Sequence, residues 1–170
     1  TGLDLFTNEG GFALNAALAG AGEVRAIDIS GPALRNVERN AELNGVRDRV
    51  QTIEADCFEY LKEVDEKHDV VIVDPPALTR SKKELPVARK GYVALNTNAL
   101  RLVRPGGVLV TASCSHHMAP DLFAEVVREA ARRSGRTVSI LESRAAGIDH
   151  PILAVMRETQ YLKLLILAVR

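Results

Sequence analysis

Cysteine is scarce in this chain: Cys57 and Cys114 are the only two among 170 residues. Two are too few for a disulfide framework, and no zinc-type spacing accompanies them. That usage points to a reducing, cytoplasmic setting and to a site without metal. Neither sign of charge is in excess, since 22 Lys and Arg face 22 Asp and Glu. A free-standing nucleic-acid binder relies on clustered basic residues, so this balance argues against one. Long apolar runs are missing too. The best, Leu162 to Val169, is broken by Lys163 and falls short of the roughly 18 residues of a membrane helix. The opening Thr1-Gly2-Leu3-Asp4 lacks a basic region leading into an apolar stretch, so no signal peptide is expected there. Internal repeats and low-complexity tracts are absent as well.

What is present is an ordinary globular balance, 46% hydrophobic and 26% charged, in a length that suits one domain with one core. Short β-rich runs alternate with longer amphipathic ones. Strands are expected at Leu3 to Phe6, Glu23 to Ile27, Val50 to Ile53, Asp69 to Val73, Val108 to Ala112, Thr137 to Leu141 and Tyr161 to Val169. Helices are expected at Phe12 to Leu18, from a Ser30 cap with early Pro32 to Asn44-Gly45, and at Phe58 to Val64, Val87 to Val103 and Asp121 to Arg133. Alternation of this kind predicts an α/β fold: a mostly parallel seven-stranded sheet with helices on both faces. The last two strands have no helix between them and predict a C-terminal antiparallel hairpin.

In such a sheet, ligands bind beyond the carboxyl ends of the strands, where strand order reverses. The first strand runs into Phe6-Thr7-Asn8-Glu9-Gly10-Gly11, whose glycines allow a tight turn and a close ligand approach. This is not the G-x-G-x-x-G fingerprint, and no phosphate-gripping lysine follows. Glycine turns are also often purely structural. The second strand ends in Asp28-Ile29, where a carboxylate can accept ribose hydroxyls or merely cap the next helix. The third leads into Asp56-Cys57-Phe58. Asp56 can accept from an adenine amino group or cap a helix, and Cys57 can serve as a small core residue. Together these ends favour a nucleoside cofactor without a phosphate anchor, which S-adenosylmethionine (SAM) fits better than NAD or ATP.

The fourth strand ends in Asp74-Pro75-Pro76-Ala77, two prolines holding Asp74 at the pocket mouth. An aromatic after the prolines would suit methylation of an exocyclic amine; Ala77 stands there instead. The fifth ends in Ser113-Cys114-Ser115-His116-His117. A cysteine at a strand end is commonly packing, but this one is placed beside Asp74, and a polar, partly exposed site is expected to raise its thiolate fraction. A thiolate there can add to carbon-6 of a cytosine and make carbon-5 nucleophilic. Asp74 can hold the ring's nitrogen edge. The two histidines fit surface or packing roles better than roles as bases.

These segments, with Ser81-Lys82-Lys83, Gly91-Tyr92, Leu95-Asn96, Pro105-Gly106-Gly107, Asp149-His150-Pro151 and Tyr161-Leu162-Lys163, resemble the RlmI-like family of large-subunit rRNA cytosine-5 methyltransferases over essentially the whole chain. The resemblance implies a class I methyltransferase Rossmann-like fold, SAM as cofactor and ribosomal RNA as partner. It implies catalytic Cys114 and Asp74, and a cofactor site of Phe6, Thr7, Gly10, Gly11, Asp28, Ile29, Asp56, Cys57 and Asp74. Family members carry an N-terminal RNA-binding module and a linking domain, so residues 1–170 are expected to be the catalytic domain alone, with RNA affinity supplied elsewhere. Glu9 stands where a threonine is common and is expected either near the cofactor's amino-acid end or in solvent. A homodimer is left open by these residues. Two rivals remain: a SAM-dependent enzyme acting on guanine, a protein or a small molecule, and a non-catalytic scaffold whose pocket beside Gly10, Asp28 and Asp56 is filled.

Overall fold

The computed structural model describes residues 1–170, apart from the side chain of Arg157. Strands and helices alternate as β1 (Gly2–Leu5), α1 (Gly11–Leu18), β2 (Val24–Asp28), α2 (Gly31–Leu43), β3 (Val50–Glu54), α3 (Cys57–Glu63), β4 (His68–Val73), α4 (Leu85–Leu102), β5 (Val103–Ser113), α5 (Pro120–Ser134), β6 (Val138–Arg144) and β7 (Lys163–Val169). They form one seven-stranded sheet in the order β3-β2-β1-β4-β5-β7-β6. The first five strands are mutually parallel, and β7 runs antiparallel between β5 and β6. The expected α/β class and antiparallel C-terminal pair are both present, and strand order reverses between β1 and β4, where the site must lie.

The sequence accounts for this arrangement locally. Val71 and Val73 of β4 are buried at the sheet centre with Leu3 and Leu5 of β1, beneath α3, α4 and α5. On the other face, Val24 and Ala26 of β2 pack against Ala13, Leu14 and Ala17 of α1 and Leu34, Val37 and Ala41 of α2. Side chains alternate across a strand, so one sheet fills two cores. Helix α2 begins at Ser30, whose hydroxyl accepts from the Ala33 N–H at 3.3 Å, with proline in its first turn. On β7, Lys163, Leu165, Leu167 and Val169 are buried, while Leu164, Ile166 and Ala168 are half-buried.

Differences from the expected bounds have physical causes. β1 stops at Leu5 because Phe6 turns out of the strand with φ 62°. α3 opens one residue early, at Cys57, since Asp56 is its cap. β5 begins pairing at Val103, opposite His68, and resumes at Val108 opposite Val70 after an irregularity. Gly107 is required in that excursion: a Cβ there would lie 2.6 Å from the Asp69 carbonyl oxygen. β7 starts at Lys163, which leaves Tyr161 and Leu162 free of the sheet.

Candidate active site

A cleft of about 700 Å³ opens over the carboxyl ends of β1, β2, β4 and β5. Phe6, Asn8, Asp28, Ile29, Asp56, Phe58, Asp74, Pro75, Pro76 and Cys114 line it, closed on one side by His150, Tyr161 and Leu162. The sequence-expected Phe6, Asp28, Ile29, Asp56, Asp74 and Cys114 thus meet in one space. Thr7, Gly10, Gly11 and Cys57 are not on its wall, and stand behind or beside it.

The turn after β1 is built by hydrogen bonds to carboxylates. The Asp28 Oδ2 accepts from the Asn8 N–H at 2.9 Å and its Oδ1 from the Ser30 N–H at 2.9 Å. One side chain therefore fixes both the first turn and the entry to α2. Phe6 and Asn8 both hold positive φ, 62° and 49°, a conformation rare outside glycine that the surrounding bonds impose. The Phe6 N–H is satisfied by the Cys57 sulfur at 3.3 Å, and burial pushes that thiol up to about 12. Cys57 is a packed hydrogen-bonding partner in this fold. Gly10, at φ 86°, sits so close to α2 that an added Cβ would come 3.0 Å from Val37. Gly11 has open space around it. The Glu9 carboxylate accepts from the Asn36 amide at 3.0 Å, which ties it to α2. Asp56 caps α3 by accepting from the Phe58 and Glu59 N–H groups at 2.8 and 3.2 Å, and also lines the cleft. Phe58 meets Phe6 edge to face at 5.9 Å.

Asp4, beneath this turn, is almost completely buried. Its Oδ2 accepts from the Thr7 hydroxyl at 2.6 Å and the Ala13 N–H at 3.0 Å, while Oδ1 has no partner. Burial raises its pKa to about 6, partly opposed by those two hydrogen bonds and aided by the charges of Asp74 and Asp28. A raised carboxyl pKa stabilises the fold fully below the unfolded value near 3.9, and that contribution is lost as pH rises through about 6. The loss amounts to something on the order of 3 kcal/mol for this group. Thermal melts from pH 4 to 7 should show the wild type losing stability relative to Asp4→Asn over that window. A constant difference between the two proteins would refute the assignment.

At the end of the cleft lined by Asp74 and Cys114, burial holds the Asp74 carboxyl above its ordinary value. The Cys114 thiol donates weakly to the Pro75 carbonyl at 3.8 Å. The expectation of an enriched thiolate is overturned: burial first, and then the neighbouring Asp74 charge, push Cys114 up. Desolvation outweighs the polarity of the site. His116 and His117 lie outside the cleft wall and stack edge to face on each other at 5.1 Å.

Sequence reasoning gave no role to Asn8, Phe58, His150, Tyr161, Leu162 or Lys163. Asn8 and Phe58 stood inside strand-end segments already singled out, whereas the signal of His150, Tyr161, Leu162 and Lys163 was only their place in family-like segments near the chain end, which long-range packing brings to the cleft. Among the described residues, no group of three His, Cys, Asp or Glu is placed to hold a metal ion. Among the described residues, no helix is long and apolar enough to cross a membrane.

A mostly parallel sheet whose order reverses between β1 and β4, with Asp28, Asp56 and Asp74 on a cleft at that reversal, is the arrangement of the class I methyltransferase Rossmann-like fold. A family model described as "Methyltransferase domain" matches residues 1–154, and the chain belongs to that family. Ribosomal RNA large subunit methyltransferase I of Aeromonas salmonicida is 42% identical over 172 residues, covering 99% of this chain and 43% of the relative. The protein of the same name from Klebsiella pneumoniae is 38% identical over 165 residues, covering 95% and 41%. The RlmI-like resemblance is borne out by these relatives. This chain spans about two-fifths of their length. Among solved structures, SMU.776 complexed with SAH superposes with a TM-score of 0.85 at 21% identity, covering 98% of this chain and 44% of that one. At that identity the likeness shows the fold.

Proposed function

We propose that this chain is the catalytic domain of an RNA methyltransferase that places a methyl group on carbon-5 of a cytosine in large-subunit ribosomal RNA. The observation that carries the reading is Cys114 and Asp74 side by side in one cleft. The names of the relatives support ribosomal RNA as the acceptor.

As a methyltransferase domain, the chain takes its methyl group from SAM, whose sulfonium makes that methyl electrophilic. The residues present fit this cofactor. Asp28 and Asp56 offer carboxylates at successive strand ends, Phe6, Ile29 and Phe58 offer apolar cover, and no lysine or arginine is on the wall to claim a phosphate. The open cleft beside Asp28 and Asp56 also weighs against a scaffold with a filled pocket.

The chain's own chemistry follows from two side chains. Asp74, on the cleft wall beside Cys114, is placed to hold the nitrogen edge of the cytosine ring, and burial raises its pKa. Cys114 Sγ, once ionised, bonds to carbon-6 and drives electron density onto carbon-5. After carbon-5 has been methylated, loss of its proton re-forms the double bond and expels the sulfur. A cytosine must leave its stack to reach this cleft. That costs a few kcal/mol in a duplex and less in a loop, which favours unpaired RNA. RNA affinity beyond this is expected from parts of the full-length relatives outside the matched two-fifths.

An RNA carrying 5-fluorocytosine tests the reading, because fluorine at carbon-5 cannot leave as a proton does. Wild type with SAM and target rRNA fragments so substituted should yield a protein–RNA adduct stable to denaturing gels, mapped to Cys114 by mass spectrometry. Methylated product without an adduct would overturn the cysteine mechanism.

A further inference from the structure

Lysine is seldom buried, yet Lys163 at the start of β7 is 7% exposed. It lies against the segment that carries Cys114. Its Nζ donates to the Ser115 carbonyl at 2.7 Å and to the Tyr161 carbonyl at 2.7 Å. No carboxylate is paired with it, although a buried ammonium ordinarily needs one. From the opposite side the same segment is held by α4. The Tyr92 hydroxyl meets Ser115 Oγ at 2.9 Å and Ser113 Oγ at 3.0 Å, and all three residues are fully buried. The residues on both sides of Cys114 are therefore anchored while its own sulfur stays on the cleft wall.

We propose that Lys163 is a positioning residue for Cys114: its buried ammonium clamps the Ser115 carbonyl, fixes the thiol in the cleft and supplies the positive charge that favours the thiolate. The inference rests on Cys114 being the nucleophile. Without a cation the thiolate would face burial and the Asp74 carboxylate unaided. The charged and titratable groups around Cys114 are Asp74 from β4, Lys163 from β7, His150 and Tyr161 on the cleft wall, and His116 and His117 next along the chain. Among these, Asp74 raises the Cys114 pKa and Lys163 lowers it. Burial in turn lowers the Lys163 pKa to about 8, opposed by Cys114. Its charge is therefore present below about pH 8 and fades above.

The test needs neither cofactor nor RNA. Alkylation of Cys114 by iodoacetamide, followed by mass spectrometry from pH 6 to 10, reports the thiolate directly. Cys57 is buried and serves as the unreactive internal reference. Lys163→Met should react about tenfold more slowly than wild type below pH 8, equivalent to about one pKa unit, with the gap narrowing above pH 8. Lys163→Arg, which keeps the charge, should follow the wild-type profile even if its melting temperature falls. Should Lys163→Met not fold, Lys163→Gln carries the same comparison, since it keeps an N–H donor without the charge. Identical pH profiles for wild type and the uncharged variants would overturn the proposal, as would Lys163→Arg slowing as much as Lys163→Met. If the fluorocytosine adduct fails while these profiles separate, the catalytic role of Cys114 is lost and the Lys163 clamp stands.

Discussion

Cys114→Ala should lose at least about three orders of magnitude in methyl transfer to its RNA substrate, while SAM affinity changes by less than about twofold. The asymmetry follows from geometry. Cys114 lies at the end of β5, on the part of the cleft formed with Asp74 and Pro75, whereas Asp28 and Asp56 occupy the ends of β2 and β3. Removing one sulfur deletes the group that activates carbon-5 and leaves the carboxylates untouched. Because Cys114 sits above the ordinary cysteine pKa, wild-type turnover should climb about tenfold per pH unit through neutrality until the thiolate forms. Single-turnover rates with radiolabelled SAM from pH 6 to 9.5 measure both effects. A flat profile, or an alanine variant within tenfold of wild type, would return the acceptor to guanine or another nucleophile that needs no adduct.

The fold was legible because its signals are local and repeated. Val70 to Val73 is an unbroken β-branched run that only a doubly covered strand accommodates. Ser30 and Pro32 mark the start of α2 from side-chain chemistry alone. At the strand ends, Asp28 and Asp56 hold local backbone N–H groups and also line the cleft, so the local role does not take them away from it. What could not be read depends on partners far apart in the chain. The ionisation of Cys114 depends on its burial in the folded cleft and on the charge of Asp74, distant in the chain, so its shift came out opposite to expectation. Lys163 looked like an interruption in an apolar strand. Its donation to the Ser115 carbonyl, 48 residues away, is visible only once β5 and β7 are paired.

Asp28→Ala should weaken SAM binding by one to two orders of magnitude in a calorimetric titration. A hydrogen bond to a charged group contributes about 1.5–3 kcal/mol, and 1.4 kcal/mol is a factor of ten. Part of that loss would be indirect, because Asp28 also holds the Asn8 and Ser30 N–H groups and with them the turn that presents Phe6. Asp28→Asn separates the two contributions. Its amide oxygen can still accept one of those N–H groups, while its NH2 end repels the other and the negative charge is gone. If direct contact with the cofactor dominates, Asn should bind nearly as poorly as Ala while melting closer to wild type. If the turn dominates, affinity and melting temperature should fall together across the pair. Unchanged affinity in both variants would remove Asp28 from the cofactor site and leave it as the link between β2, the first turn and α2.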